Sequence, residues 1–388
     1  MAIIYIRKKK FCTMVFRKSI NCKKTGLFFF FYCIYAYICR YCTSDMIEHV
    51  RIALNHLEEG HVFSGNFLFY FLVNLFSGFT GIRWLAKIVL CGLLAWASTY
   101  KFSILKKQMD PFVVSSNVSS LLSLSLCFVF VIPILSFCYV PYYYLGYEVP
   151  NVWHNSTIIF LFPFAFLLFF CSLKQLKEGV DNKRNLGLLI LILLNVYTKP
   201  SFFFVFACSY PFMLFIQYKT TRNFWKGIFP VLIGFVFLYM EYNSIYERPL
   251  DGSSVCLDFK GLLNFSFWSE KMSYLIVSLF LPIVYLLFYL KKTIRDREFL
   301  YILLLLFSAL GIFFICKELG SRANHGNFYW QVVPVMALLF YYVLKSLVVD
   351  IKKCGYNKKN VTVVSIYILH VISGLFYLSH YLIVRNYY

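Results

Sequence analysis

The chain has 388 residues, 60% of them apolar and only 14% charged, with a formal net charge of +21. A soluble domain carries roughly 45–50% apolar and about 25% charged residues, so an ordinary soluble enzyme is excluded. So is a disordered chain, which would need low hydropathy and dense charge. On so apolar a chain, the basic excess points to loops held on one side of a bilayer rather than to nucleic acid.

Residues 1–24 form a basic tail carrying Arg7, Lys8, Lys9, Lys10, Arg17, Lys18, Lys23 and Lys24. The apolar run that follows is rich in Phe and Tyr and has no small-residue cleavage site, so it is expected to stay as an anchor rather than be removed as a signal peptide. Met14 is an alternative start that shortens the tail without changing topology. Apolar runs of about 17–25 residues can cross roughly 30 Å of hydrocarbon as helices. They occur at 25–42, 84–104, 119–141, 156–173, 185–198, 201–217, 227–241, 274–290, 298–316, 329–346 and 361–384. The expected fold is all-α, a single polytopic membrane domain of about eleven spans over 1–388, with interfacial helices after the first span.

The first loop, 43–80, is polar at its start. Asp45 and His49 are four apart and share a helical face, with Glu48 and Arg51 beside them. Ile47, Val50, Leu54 and Leu57 repeat at apolar helical spacing. This predicts an amphipathic helix lying on the membrane surface. The run Phe63–Gly78 is too short to cross and reads as a second interfacial helix. Loop 142–156 carries Glu148, Trp153, His154 and Asn155 among aromatic residues. An aromatic belt explains the rings, but not a Glu, a His and two Asn beside them. The tight turn Tyr197–Ser201 sets Lys199 before Pro200, where the side chain either snorkels or meets a phosphate. Loop 242–273 reads as a solvated cover. Loop 317–328 brings Lys317, Arg322 and His325 together, an arrangement suited to an anion.

Charge orients the bundle. The ends joined by the N-terminal tail hold 27 Lys and Arg against 6 acidic residues, whereas the other face holds 11 of each. Basic loops are retained in the cytoplasm, so the N-terminus is expected inside and the C-terminus outside. The first, second and fourth polar loops and the Lys199 turn then share the outer face. Most of the 13 Cys lie in apolar runs as small apolar residues. The Cys39-x-x-Cys42 pair lacks the βαβ context of a redox site.

Carboxylates beside cations at one membrane face suit transfer chemistry on a lipid-linked phosphate: an acid group activates an acceptor or holds a metal, and a cation stabilises the leaving phosphate. The first span, the external D-x-x-x-H at Asp45 and His49, and the helix N-F-L-x-Y-x-L-V-x-L-x-S-G at 66–78 together resemble the C-type (GT-C) integral-membrane glycosyltransferases over roughly residues 25–200. The resemblance implies a polyprenyl-phosphate sugar as donor and a cell-envelope glycan or lipid as acceptor. It implies Asp45 as catalytic residue, with Glu48 as its substitute and Glu148 as a second acidic group. His49, Glu148, His154, Lys199, Arg322 and His325 are the expected substrate contacts. The family's D-x-D or D-x-E pairs are absent, which leaves a divalent cation open. It also implies the bacterial plasma membrane as location. Two other readings stand beside it. A polysaccharide polymerase or ligase would carry a large, Arg-rich external loop, whereas 242–273 holds only Arg248. A transporter or flippase would place ionisable groups in mid-span, on broken helices.

Overall fold

The computed structural model describes residues 24–58, 65–131, 147–246, 254–259, 265–320 and 326–387. The basic tail before Lys24, and with it Met14, lies outside them, as do Tyr142–Gly146, Arg248, Arg322 and His325. Fourteen α-helices are present among the described residues. Helix α1 (Lys24–Tyr41) turns by 84° into α2 (Met46–Glu58), followed by α3 (Phe67–Phe76), α4 (Arg83–Met109) and α5 (Ser116–Ser125). Next come α6 (Ser156–Glu178), α7 (Asn182–Thr198), α8 (Ser201–Tyr218) and α9 (Arg222–Tyr246). Strand β1 (Ser254–Leu257), α10 (Phe265–Ser278), α11 (Phe280–Thr293), α12 (Arg297–Ile315), β2 (Cys316–Leu319), α13 (Val332–Cys354) and α14 (Lys358–Val384) complete the chain. The protein is an all-α polytopic membrane bundle: among the described residues seven helices are long and apolar enough to cross, or up to nine if each sharply bent pair counts as one span.

Among the described residues the expected count of eleven is not reached, and the third expected span shows why. Over 119–141 there is no continuous helix: α5 ends at Ser125, and Phe130 and Val131 are already outside any helix. Its Ser-rich sequence competes with the helix through side-chain bonds such as Ser120 to the Ser116 carbonyl, 2.8 Å, and Ser125 to that of Leu122, 2.8 Å. The following Phe-Val-Phe-Val favours extended chain. Non-helical backbone at membrane depth survives only inside protein, and Leu126–Val131 is buried throughout. Distant side chains satisfy its carbonyls. Asn151 Nδ2 donates to Leu126 and Val129 at 3.1 and 2.8 Å, His370 Nδ1 meets the Phe130 carbonyl at 2.6 Å, and Ser373 donates to Val131.

Gly374 is what lets α14 come so close. A Cβ there would sit 1.4 Å from the Phe128 carbonyl oxygen, a clash with backbone that no rotamer relieves. Gly374→Ala is therefore expected to destabilise the bundle by about 3 kcal/mol or more, read as a fall in thermal midpoint of the detergent-purified protein.

The eighth expected span, 274–290, is also broken: the chain bends by 69° between Met272–Ser278 and Phe280–Thr293. Loop 242–273, expected as plain cover, supplies β1, which pairs antiparallel with β2 in the register Val255 to Glu318. Lys317, placed by its sequence in an anion site, instead pairs with Asp258 beside this ribbon at 2.6 Å. At the Lys-rich end, the buried Glu298 holds Lys345 of α13 and Lys177 of α6, while Asp350 takes Lys292 and, at 2.9 Å, Tyr285. These pairs tie α6, α11, α12 and α13 at one end of the bundle.

Candidate functional site

At the opposite end, three chain breaks converge, each with a local cause. Between α1 and α2, the Thr43 N–H donates to the Arg385 carbonyl at 2.8 Å and Tyr381 Oη donates to the Thr43 carbonyl at 2.7 Å, so the end of α14 holds the corner open. Asp45 follows directly, and its carbonyl accepts from the His49 N–H at 2.8 Å, the first turn of α2. At the start of α6, Asn155 is the N-cap: its Oδ1 accepts from the Ile158 N–H at 3.1 Å. Between α7 and α8, Pro200 cannot continue the helix, and the residue before a proline is pushed to extended backbone. Lys199 accordingly has φ −172° and ψ 118°.

These breaks set a chain of hydrogen bonds running one way. Lys199 Nζ donates to Thr157 Oγ1 at 3.2 Å, Thr157 donates to Asn155 Oδ1 at 3.0 Å, and Asn155 Nδ2 donates to Asp45 Oδ2 at 2.8 Å. The Asp45 N–H also donates to the His154 carbonyl at 3.2 Å. Asn155 thus caps α6 with its oxygen and orients the Asp45 carboxylate with its nitrogen. His49 Nδ1 bonds Ser156 Oγ and fastens α2 to the same helix start. The Asn155-Ser156-Thr157 sequon is buried and fully used in these contacts, so it is not a glycan acceptor in the folded protein.

Lys199 is 8% exposed. Burial pulls its ammonium down to about 8, opposed by the charges of Asp45 and Glu318. Its Nζ also lies 5.5 Å from the Trp330 ring, within cation–π range. Glu318, on β2, accepts from Asn327 Nδ2 at 2.6 Å. His49 and His154 are both pushed down to about 3, chiefly by burial. They are neutral near pH 7 and serve as hydrogen-bonding and stacking groups, not cations. The His154 ring stacks on Tyr387 at 4.2 Å and 8° and faces Trp330 at 5.9 Å. The result is an aromatic wall beside a carboxylate and an ammonium.

The sequence-predicted residues divide accordingly. Asp45, His49, His154 and Lys199 come together. Glu48 turns to the exposed face of α2 and pairs with Arg51. Glu148 is buried against the α10–α11 break, where Ser278 Oγ donates to its carboxylate at 3.2 Å and accepts its N–H at 3.0 Å. Both its neighbours reach Tyr329, beside Trp330: the Tyr147 carbonyl accepts from the Tyr329 hydroxyl at 2.7 Å and the Val149 N–H donates to it at 3.4 Å. Arg322 and His325 fall outside the described residues. Among the described residues no three His, Cys, Asp or Glu side chains gather as a metal site. Asn155, Thr157, Glu318, Trp330 and Tyr387 gained roles that sequence reading did not assign. Only Asn155 carried a local signal, as a capping residue directly before an apolar run.

Neither the family comparison nor the comparison with curated proteins finds a match. Among solved structures, the protein is similar to the crystal structure of ArnT from Cupriavidus metallidurans bound to undecaprenyl phosphate. The TM-score is 0.46 at 10% identity, over 95% of this chain and 78% of that one.

Proposed function

We propose that the protein is an integral-membrane glycosyltransferase that moves a sugar from a polyprenyl-phosphate donor to a cell-envelope glycan or lipid acceptor at the outer face, with its N-terminus cytoplasmic. The observation that carries this reading is the oriented Asp45 carboxylate linked through Asn155 and Thr157 to the buried Lys199 ammonium. In the reaction, the acceptor hydroxyl gives its proton to Asp45 and its oxygen forms the new bond to the anomeric carbon. The bond from that carbon to the phosphate oxygen breaks, and the electron pair leaves with the polyprenyl phosphate, whose growing charge faces Lys199. The rings of His154, Trp330 and Tyr387 offer a wall for the sugar.

The test is transfer of labelled sugar from a synthetic polyprenyl-phosphate donor by the full chain in proteoliposomes. No transfer to any envelope acceptor, together with unaltered lipid-linked sugar pools in cells lacking the protein, would overturn it.

A pH dependence accompanies the proposal. Burial lowers the Lys199 ammonium to about 8, so the cation is present below that pH and lost above it. The expected kcat/KM for donor is flat below pH 8 and falls about tenfold per unit above it, since this ratio reports groups of the free enzyme. A profile still flat at pH 9.5 would remove Lys199 from donor binding.

One observation favours the transporter reading: Lys101 is buried within α4 beside the broken segment, donating to Asn151 at 2.5 Å and sitting 3.5 Å over the Phe162 ring. The size of the adjoining cavity counts against it. At about 20 Å³ it holds about one water molecule, far too little for a sugar.

A further inference from the structure

A second recess opens at the other end of the bundle. It lies between α6, α8 and α12, has a volume of about 540 Å³, and is walled by apolar side chains that include Phe212, Ile216, Leu304 and Phe307. Ligand pockets fall at roughly 300–1,000 Å³. Phe212, Ile216 and Phe307 are 53%, 53% and 63% exposed, so the recess faces sideways, where a membrane protein meets acyl chains rather than water. Its mouth carries Lys177, Arg295 and Arg297, with Gln217 beside them.

The mouth keeps its positive charge. Glu298 is the nearby carboxylate, but it is buried and shared between Lys177 and Lys345. Asp296 keeps its charge, since its partners are neutral, the Tyr342 hydroxyl at 2.9 Å and the Glu298 N–H at 2.9 Å; the two carboxylates are outnumbered by Lys177, Lys345, Arg295 and Arg297, which leaves the mouth net positive. Arg297 donates to the neutral Gln217. Arg295 forms no ion pair among the described residues. An apolar slot open to the bilayer with three cations at its headgroup end complements one kind of molecule: two long chains under a negatively charged head.

We propose that this recess binds an anionic glycerophospholipid of the inner leaflet, with its acyl chains along α8 and α12 and its phosphate at Arg295, Arg297 and Lys177. The site rests on the orientation proposed above and not on the chemistry at Asp45. It is also separate in space: from Ser156 to Lys177, α6 rises about 32 Å, so a lipid seated here cannot present its head to Asp45.

Basic pockets between spanning helices on the cytoplasmic side take anionic headgroups. The experiment is native mass spectrometry of the detergent-purified full chain, titrated with palmitoyl-oleoyl phosphatidylglycerol, with phosphatidylcholine of the same chains, and with inorganic phosphate as competitor. Retention of phosphatidylglycerol, without matching retention of phosphatidylcholine and without displacement by millimolar phosphate, is the expected result. The double variant Arg295→Gln/Arg297→Gln should weaken that retention about thirtyfold. Phe307→Trp, at a side chain that a larger ring can replace without crowding the bundle, narrows the opening and should weaken retention with the charges intact. Equal retention of phosphatidylcholine, or unchanged retention in both variants, would overturn the site. Full displacement by phosphate would overturn the lipid assignment by marking a site for the free anion. Sugar transfer in proteoliposomes tests the Asp45 reading separately, so the two failures are distinguishable.

Discussion

Asp45→Asn is expected to lower kcat by about 10²–10⁴-fold, the span that general base catalysis contributes. The amide keeps the size of the carboxylate and can still meet Asn155 once that side chain reorients, so the corner between α1 and α2 should hold. It cannot accept a proton from the acceptor hydroxyl. In cells the lipid-linked sugar should accumulate while the surface glycan lacks the residue. Glu48→Gln is the matched control: its carboxylate is on the exposed face of α2 with Arg51, and exposed pairs contribute little. Turnover there should stay within about twofold of the parent. A stably inserted Asp45→Asn protein with full turnover would remove Asp45 from the mechanism.

Lys199→Gln should lower kcat/KM for the donor by about 10–150-fold, the range for a hydrogen bond to a charged group. The loss belongs to the donor: KM for the acceptor should be little changed, because the ammonium is assigned to the leaving phosphate. Stability moves too. Asp45 and Glu318 both act on the Lys199 charge, and without it two carboxylates share a poorly solvated region. The linkage can be signed. The folded ammonium is depressed to about 8 from its ordinary 10.5, so between these values the unfolded chain binds the extra proton and the parent gains stability as pH rises. That gain should be missing in Lys199→Gln, a difference readable from thermal midpoints at pH 8 and pH 10. Equal slopes in the two proteins would mean Lys199 is not held in the buried environment described.

The two ends of the molecule separate what each level of description decided. Helices α1, α4, α6, α8, α9 and α12–α14 were legible because a bilayer leaves the backbone few options: a long apolar run must close its own hydrogen bonds, and a helix does so within the run. The expected span 119–141 failed for the same reason turned around. Leu126–Val131 is as apolar as a helix would be, but the carbonyls of Leu126, Val129, Phe130 and Val131 are met by Asn151, His370 and Ser373, up to some 240 positions away, and no local pattern reports that. Lys101, inside the expected span 84–104, is held the same way: its partner is Asn151, 50 positions on.

The +21 charge is read from composition alone, and its expected division between two faces rests on span order, because charge retention depends on loops rather than on packing. So did Asp45 and Lys199 as residues of note, since each stands out where an apolar run ends. What only the tertiary structure decided is their connection. It needed Asn155 to cap one helix with its oxygen while its nitrogen reached a residue 110 positions earlier, and it sent Glu48 to the exposed face of the same α2. Sequence marks which side chains are costly to place at a membrane boundary; the fold decides which of them meet.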